Sequence, residues 1–386
     1  MSALLLFLLK KGSRNALNNE RENPRFVKNI QKIFGFRLVH MDTAEDILRL
    51  LEEDWLETLH WKLIHLLLEK KIFHGERLSG KYFLVAVDGT HVMTVTEGHC
   101  KHCLFKEFKS GEKVYFHNVL EAKLVTKNGF SISLASEWIE NEGEGFDKQD
   151  CEQKAFKRLA QKLKKEFSQL KICILADGLY SNSSFFDLCD SNQWQWIVTL
   201  KDGNLKTLWQ ELIGMETLGE IEERKEIIAD KNVERNYRWY NGFIYHGMPL
   251  YWFECLEHKN QGSKKFAYVS SIKTDYHSIL ETTEAGRLRW RIENQGFLNQ
   301  KQRDYALGHQ YSRVSMKAMK NYYKLMQIAH LINQLFERQQ RVQEQVNTKM
   351  TLKHLWIELL TRIRTQKIKK KKRRRFLNQK IQIRFA

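Results

Sequence analysis

A chain of 386 residues is long for one ordinary domain and points to two or three. Hydrophobic residues make up 42%, enough to bury a sizeable core, which excludes wholesale disorder. Lys and Arg number 64 against 46 Asp and Glu, and the net charge of +18 favours a polyanionic partner, either nucleic acid or an acidic membrane surface.

The opening apolar run, Met1 to Leu9, is far shorter than the roughly 20 residues a spanning helix needs. Its charges, Lys10 and Lys11, follow it where a signal peptide places them before. It reads as the end of a buried helix, within a helical region over 1–78. The loop Gly12-Ser13-Arg14-Asn15 interrupts that region. Asp42 or Thr43 is the expected cap of a helix with Glu45 in its first turn, in which Ile47, Leu48, Leu51, Trp55, Leu56, Leu59, Leu63, Leu66 and Leu67 recur at helical spacing.

From Tyr82 the period changes. Tyr82 to Val87 is a continuous apolar run, the mark of a strand buried on both faces, and it ends at Asp88-Gly89-Thr90. Val92 to Thr96 is expected to pair back as a hairpin. Val119 to Thr126 and Phe130 to Ala135 flank Asn128-Gly129 as two strands about a turn. Cys151 to Phe167 reads as a lysine-rich amphipathic helix with Ala155, Leu159 and Leu163 on one side. Ile172 to Ala176 is a second buried strand ending in Asp177-Gly178, and Trp196 to Leu200 a third. These complete the first part of an α/β core over 79–202. Residues 203–276 read as a β-rich insertion, with Asn241-Gly242 as its hairpin turn. Helices over 278–301 and 313–337 follow, closing the core over 277–340. The last segment, 341–386, reads as a helix and a basic tail, for Thr361 to Ala386 carry Lys and Arg but no acid.

An acid at the C-terminal end of a core strand projects into the crevice where α/β sheets place their chemistry. Asp88 and Asp177 both stand there, and two such acids on neighbouring strands can share Mg²⁺ or Mn²⁺. The third acid is Glu293, set among Arg287, Arg289 and Arg291. On a helix, Arg289, Glu293 and Phe297 lie four apart on one side, with Lys301 a little round it. The plainer readings are an ordinary Asp-Gly turn after each strand and a simple ion pair between Glu293 and Arg289.

The order strand–Asp88, helix, strand–Asp177, β-rich insertion, helix–Glu293 resembles the DDE transposases of bacterial insertion sequences. It is most similar to the branch with a β-rich insertion and a Tyr-Arg-Glu-Lys signature. The stretches that carry the resemblance are FLVAVDGT (83–90), HCKHCL (99–104), DKQDCE (147–152), ILADGLY (174–180), RWRIENQGF (289–297) and YSRVSMKAMKNYYKLMQIAHLINQL (311–335). It implies a ribonuclease-H-like core in which Asp88, Asp177 and Glu293 bind two Mg²⁺ or Mn²⁺ ions, with Arg289 as the signature arginine. The signature Tyr falls at Gly286 and the Lys at Gln300, with Lys301 one residue late. The helical start is short for a full terminal DNA-binding domain. The implied activity is metal-dependent hydrolysis at the ends of a DNA element, then attack of the freed 3′-hydroxyl on a target strand. The implied partners are double-stranded DNA and a second copy of the chain at synapsis. The rivals are a nuclease that cuts without joining and a decayed copy that only binds DNA.

Other candidates are secondary. Cys100 and Cys103, with Cys151 as third ligand, are a possible structural zinc site, and His99 and His102 lie beside the pair. Trp239 is the candidate for stacking on an unpaired base. Lys148, Lys157 and Arg158 are candidates for backbone phosphate, as is the run Lys367 to Arg375. Six cysteines are sparse for a disulfide scaffold, so the expected setting is a reducing cytoplasm, with no membrane association; the resemblance implies a bacterial one, at the nucleoid.

Overall fold

The computed structural model describes residues 1–95, 100–142, 146, 148–229, 232–259, 262–303, 305–348, 350–368 and 384–385. The chain is a mixed α/β protein that divides into two compact units, one of residues 1–66 with 297–386 and one of residues 67–296. The basic run from Lys367 therefore lies mostly outside the described residues, as does His99.

The first unit is helical. It opens with α1 (Ser2–Leu8), α2 (Arg14–Glu20), α3 (Pro24–Phe34), α4 (Met41–Leu50) and α5 (Glu53–Glu69). The opening apolar run is α1, with Ala3 to Phe7 buried. The long apolar periodicity that predicts one helix across 47–67 is broken between α4 and α5, and Ile47, Leu50, Trp55, Leu59 and Leu66 are exposed. The cap of α4 is His40, whose Nδ1 accepts from the Asp42 amide, rather than Asp42 or Thr43. Glu45 is not a solvated first-turn acid. It is buried, paired with Arg14, and accepts from the Ser312 hydroxyl at 2.7 Å.

The second unit is built on a sheet. Its first strands are β1 (Phe83–Val95), β2 (Leu104–Glu107), β3 (Lys113–Val125) and β4 (Ser131–Ile139). Then come α6 (Glu152–Glu166), β5 (Ile172–Ala176), α7 (Ser183–Ser191), β6 (Gln195–Thr199) and α8 (Lys206–Leu218). The remainder is β7 (Glu222–Ile228), β8 (Val233–Tyr245), β9 (Met248–Lys259), β10 (Gly262–Ser270) and α9 (Ile279–Arg287). Among the described residues the ten strands form one mixed sheet in the order β2-β3-β1-β5-β6-β10-β9-β8-β7, with β4 also on β3. β1, β5 and β6 run parallel, and β3 is antiparallel to both β1 and β4.

Two turns differ from expectation. The hairpin expected at Asp88-Gly89-Thr90 does not form, because β1 runs on unbroken to Val95, with a bulge between His91 and Met93. Asn241-Gly242 is likewise no hairpin turn. It lies inside β8, where the pairing with β9 shifts between Tyr240 and Phe243, and Asn241 Nδ2 donates to the Thr274 carbonyl at 2.7 Å. The real turn is His246-Gly247, with φ of 49° and 81° at its two residues, the conformation that matches strand twist in a two-residue hairpin.

The β-rich insertion also contains α8 and is not a separate sheet. Its last strand, β10, pairs with core strand β6 from Tyr268 opposite Thr199 to Ser270 opposite Ile197. Glu257 of β9 ties it to α9. Burial pushes this carboxyl up, but hydrogen bonds from Lys259, Arg287 and Arg235 outweigh that and hold it down at about 2. A depressed acid contributes stability above its unfolded value of 4.5, and that contribution is lost as pH falls toward about 2. Replacing Glu257 by Gln is expected to cost about 2–3 kcal/mol at pH 7 and to flatten the acid limb of the stability curve between about pH 4.5 and 2. Urea titrations across that range are the check, and an unchanged acid limb refutes the pairing.

The chain closes with α10 (Leu298–Gln302), α11 (Met316–Glu337), α12 (Gln340–Thr348) and α13 (Leu352–Thr365), which complete the helical unit. α11 is buried nearly all round, and several of its polar side chains are met by other helices of the unit. Asn321 donates to the Leu48 and Leu51 carbonyls, and Lys324 pairs with Glu57 at 2.7 Å. Among the described residues no helix is long and apolar enough to cross a membrane.

Candidate active site

The parallel pairing of β1 with β5 sets Phe83 opposite Ile172 and Ala86 opposite Leu175. Two residues further on, the same register brings Asp88 level with Asp177. Asp177 stands just past the end of β5, as its apolar run predicts, but Asp88 does not end its strand: β1 continues to Val95 and Asp88 lies within it, opposite Glu121 of β3. Asp177 leaves β5 as the cap of a short 3₁₀ turn, accepting from the Leu179 amide at 2.9 Å, with Lys201 Nζ 3.4 Å from its other oxygen.

Glu293 arrives from the other side on a turn of π-helix, Ile292–Phe297, a wider winding that recurs at functional sites. Arg289 links it to Asp88 within β1. Its Nη2 donates to Glu293 Oε1 at 2.8 Å and its Nη1 lies 3.6 Å from Asp88 Oδ2. The helical spacing of Arg289 and Glu293 is thus realised as a contact, and the buried guanidinium stands between the two carboxylates.

A fourth acid, Glu152, was not singled out by sequence. It is the first residue of α6 and lies so close to Gly89 that a Cβ there would come within 2.2 Å of Oε1. A side chain at position 89 would make that carboxylate move away from β1. Burial and the charge of Asp177 push its carboxyl up, with the buried Tyr180 beside it. Its one signal in the sequence is its position at the end of the Asp147–Glu152 stretch, just after a helix cap.

The neighbouring acids act on Asp88. Burial pushes Asp88 up to about 7. Arg289 opposes the shift, while Glu293, Glu152 and Asp177 add to it. Among the described residues only Cys100, Cys103 and His117 bring three ligand atoms all within 4.8 Å of one another, so the other acids stand near Asp88 without closing into so tight a group. Mutual repulsion and the interposed Arg289 account for the spacing. An all-oxygen donor set under such repulsion is what a hard divalent cation suits, so Asp88, Asp177 and Glu293 fit Mg²⁺ or Mn²⁺.

Gly286, where the resemblance expects tyrosine, is occupied in another way. A Cβ at Gly286 would come within 2.7 Å of the Tyr268 ring, which is buried and stacked on Phe253. Gly286→Ala is expected to cost about 1–3 kcal/mol by overpacking. Thermal unfolding measures it, and a neutral result means Tyr268 moves freely.

The remaining candidates fall differently. Trp239 is 1% exposed, packed inside the insertion opposite Phe253, so it offers no face to a base. Arg158 is held at 2.6 Å by both Glu137 and Asp150 and also donates to the Trp138 carbonyl. Lys148 is exposed beside Lys154 and Lys157. Lys301, exposed on α10, belongs to the helical unit. Its neighbour Gln300 is wholly buried there, donating to Gln327 at 2.8 Å. Cys151 is exposed at the cap of α6 and stands outside the cysteine cluster, whose third member is His117 of β3.

A half-exposed aromatic that sequence did not flag is Trp290. It lines a hollow of about 380 Å³ with Arg235, Tyr237, Arg287, Arg291 and Asn294. Comparison of the chain with family models and with curated proteins finds no match to either.

Proposed function

We propose that this chain is a DNA transposase of the DDE type, with a ribonuclease-H-like core. The observation that carries the reading is the register of β1 against β5, which levels Asp88 with Asp177, together with Arg289 joining Asp88 to Glu293. The strand order supports it. β4, β3, β1, β5 and β6 lie side by side, the first three antiparallel and the last three parallel, as a core of that kind requires.

Asp88, Asp177 and Glu293 would hold Mg²⁺ or Mn²⁺, which supplies Lewis-acid stabilisation of the charge developing on a scissile phosphodiester. Glu152 adds negative charge beside them and strengthens the hold on a cation. Arg289 keeps Asp88 and Glu293 on either side of one guanidinium. Trp290 offers a ring and Arg291 a cation to DNA, while Arg235 and Arg287 of the same hollow are held by Glu257. Partners in this reading are double-stranded DNA and a second copy of the chain at synapsis.

The test is purified protein with a plasmid carrying the gene's own flanks, in Mg²⁺ or Mn²⁺, with the 3′-hydroxyl ends mapped. Cuts at the flank boundaries followed by joined products are expected. Cuts without joining would make it a nuclease, and retarded but uncut DNA a binding protein.

A further inference from the structure

The loop after β1 returns to the sheet through Cys100 and Cys103, and β3 carries His117 beneath it. The Cys100 and Cys103 sulfurs are 3.4 Å apart, and His117 Nε2 lies 3.5 Å from the first and 3.2 Å from the second. Cys103 and His117 are buried and Cys100 half-buried, and all are free of disulfides. We propose that Cys100, Cys103 and His117 are ligands of a zinc ion that pins the Cys100–Cys103 turn to β3.

The donor chemistry selects the metal. Two sulfurs and an imidazole nitrogen are borderline-soft ligands, which suit zinc and not the hard cations of the carboxylate site. Zn–S bonds of ~2.3 Å and Zn–N bonds of ~2.0–2.1 Å imply tetrahedral edges of roughly 3.5–3.8 Å. The Cys100–His117 edge of 3.5 Å already meets that, and the other two, 3.4 Å and 3.2 Å, fall a few tenths of an ångström short, an outward adjustment that side-chain rotation supplies. Binding releases the two thiol protons to solvent and leaves both sulfurs as thiolates.

The site is built before any ion enters. The Cys103 amide donates to the Cys100 carbonyl at 3.1 Å, closing a turn of the width zinc loops use. Asn141, just beyond β4, holds that turn from below. Its Nδ2 donates to the Cys103 carbonyl at 2.7 Å, its amide to the His102 carbonyl at 3.1 Å, and its own carbonyl lies 2.8 Å from His102 Nδ1. On the far side of the imidazole, Glu140 Oε1 lies 3.8 Å from His117 Nδ1, from which a small side-chain shift on metal binding would let the carboxylate accept from Nδ1–H and leave Nε2 for the metal. His117 faces Met93 across the β1–β3 ladder, the same ladder that sets Asp88 opposite Glu121. The ion would therefore secure the distal end of the strand pair that carries the first catalytic acid.

The test is metal content and cobalt spectroscopy on the full chain, purified without an affinity metal. One zinc per chain is expected, and the cobalt-substituted protein should show thiolate-to-metal bands with the visible bands of a tetrahedral site. Cys103→Ser and His117→Ala should lose both signals and Cys151→Ser should keep them. Because the first two variants lie in the core of the loop, Glu140→Gln provides a folded control, expected to weaken zinc roughly 10–100-fold in chelator competition. Substoichiometric zinc with no thiolate bands in the wild-type spectrum overturns the proposal, as does a Cys100–Cys103 disulfide in the purified protein. Cobalt bands from oxygen ligands alone would place the ion at the carboxylates and overturn it equally.

Discussion

Glu293→Gln and Asp177→Asn are each expected to lower strand cleavage at the flank boundaries by about 10³-fold or more, with DNA retardation unchanged. Each substitution keeps the shape of the side chain and removes one anionic oxygen donor. A metal stabilises the charge of a phosphoryl displacement by several kcal/mol, and about 4 kcal/mol is about 10³ in rate. Neither residue is structural in the way Glu257 is. Asp177 and Glu293 are partly exposed, and their partners are Lys201 and Arg289, which the amide can still meet as an acceptor. Glu152→Gln should be milder and of a different kind. It should raise the Mg²⁺ concentration for half-maximal cleavage about 10–100-fold, because it strengthens the field without being required as a ligand. Retained cleavage in both of the first two variants would sink the transposase and nuclease readings together.

Asp88→Asn is expected to stabilise the protein in chelator at neutral pH. The folded chain keeps the Asp88 proton up to about pH 7, whereas the unfolded chain releases it near 3.8. Between those values the folded state binds more protons, so stability falls as pH rises through the window. The span between the two values sets a ceiling of about 4 kcal/mol, at about 1.4 kcal/mol for each pH unit. The advantage of the variant over wild type should therefore widen by about 2–4 kcal/mol from pH 4 to pH 7 and stay level above it. Mg²⁺ should reverse the order. At a hundred times its dissociation constant it adds about 2.7 kcal/mol to wild type and little to the variant. Urea titrations with EDTA or Mg²⁺ at several pH values decide the matter. A gap that does not change with pH would show that Asp88 is solvated and ionised like any surface acid.

The two aspartates are legible in the sequence because each follows an uninterrupted apolar run, and such runs can only be central strands. Their levelness is not legible, since it depends on parallel register between segments more than eighty residues apart in the chain. Glu293 stands out through its arginines, and the contact with Arg289 follows from spacing. Glu152 does not stand out, because its proximity to Gly89 arises from how the start of α6 comes to lie beside β1. The Asn241-Gly242 pair misleads for a physical reason. The dipeptide lies at a register shift inside β8, and His246-Gly247 takes the turn at the positive φ angles an Asn-Gly turn is expected to supply. Trp239 misleads because aromatic content says nothing about which face of a strand is covered. His117 could replace Cys151 only once the β1–β3 ladder had brought β3 beneath the cysteine turn.

The pairing of β10 onto β6 has a consequence for engineering. Deleting residues 203–276 to obtain a minimal core would strip hydrogen-bonding partners from Ile197, Val198 and Thr199. The shortened chain would present a raw, largely apolar strand border to its neighbours. Natural sheets guard such borders because they recruit other chains. A trimmed version of this protein should therefore oligomerise side by side or precipitate, and a soluble one would need lysines or a proline written into that strand.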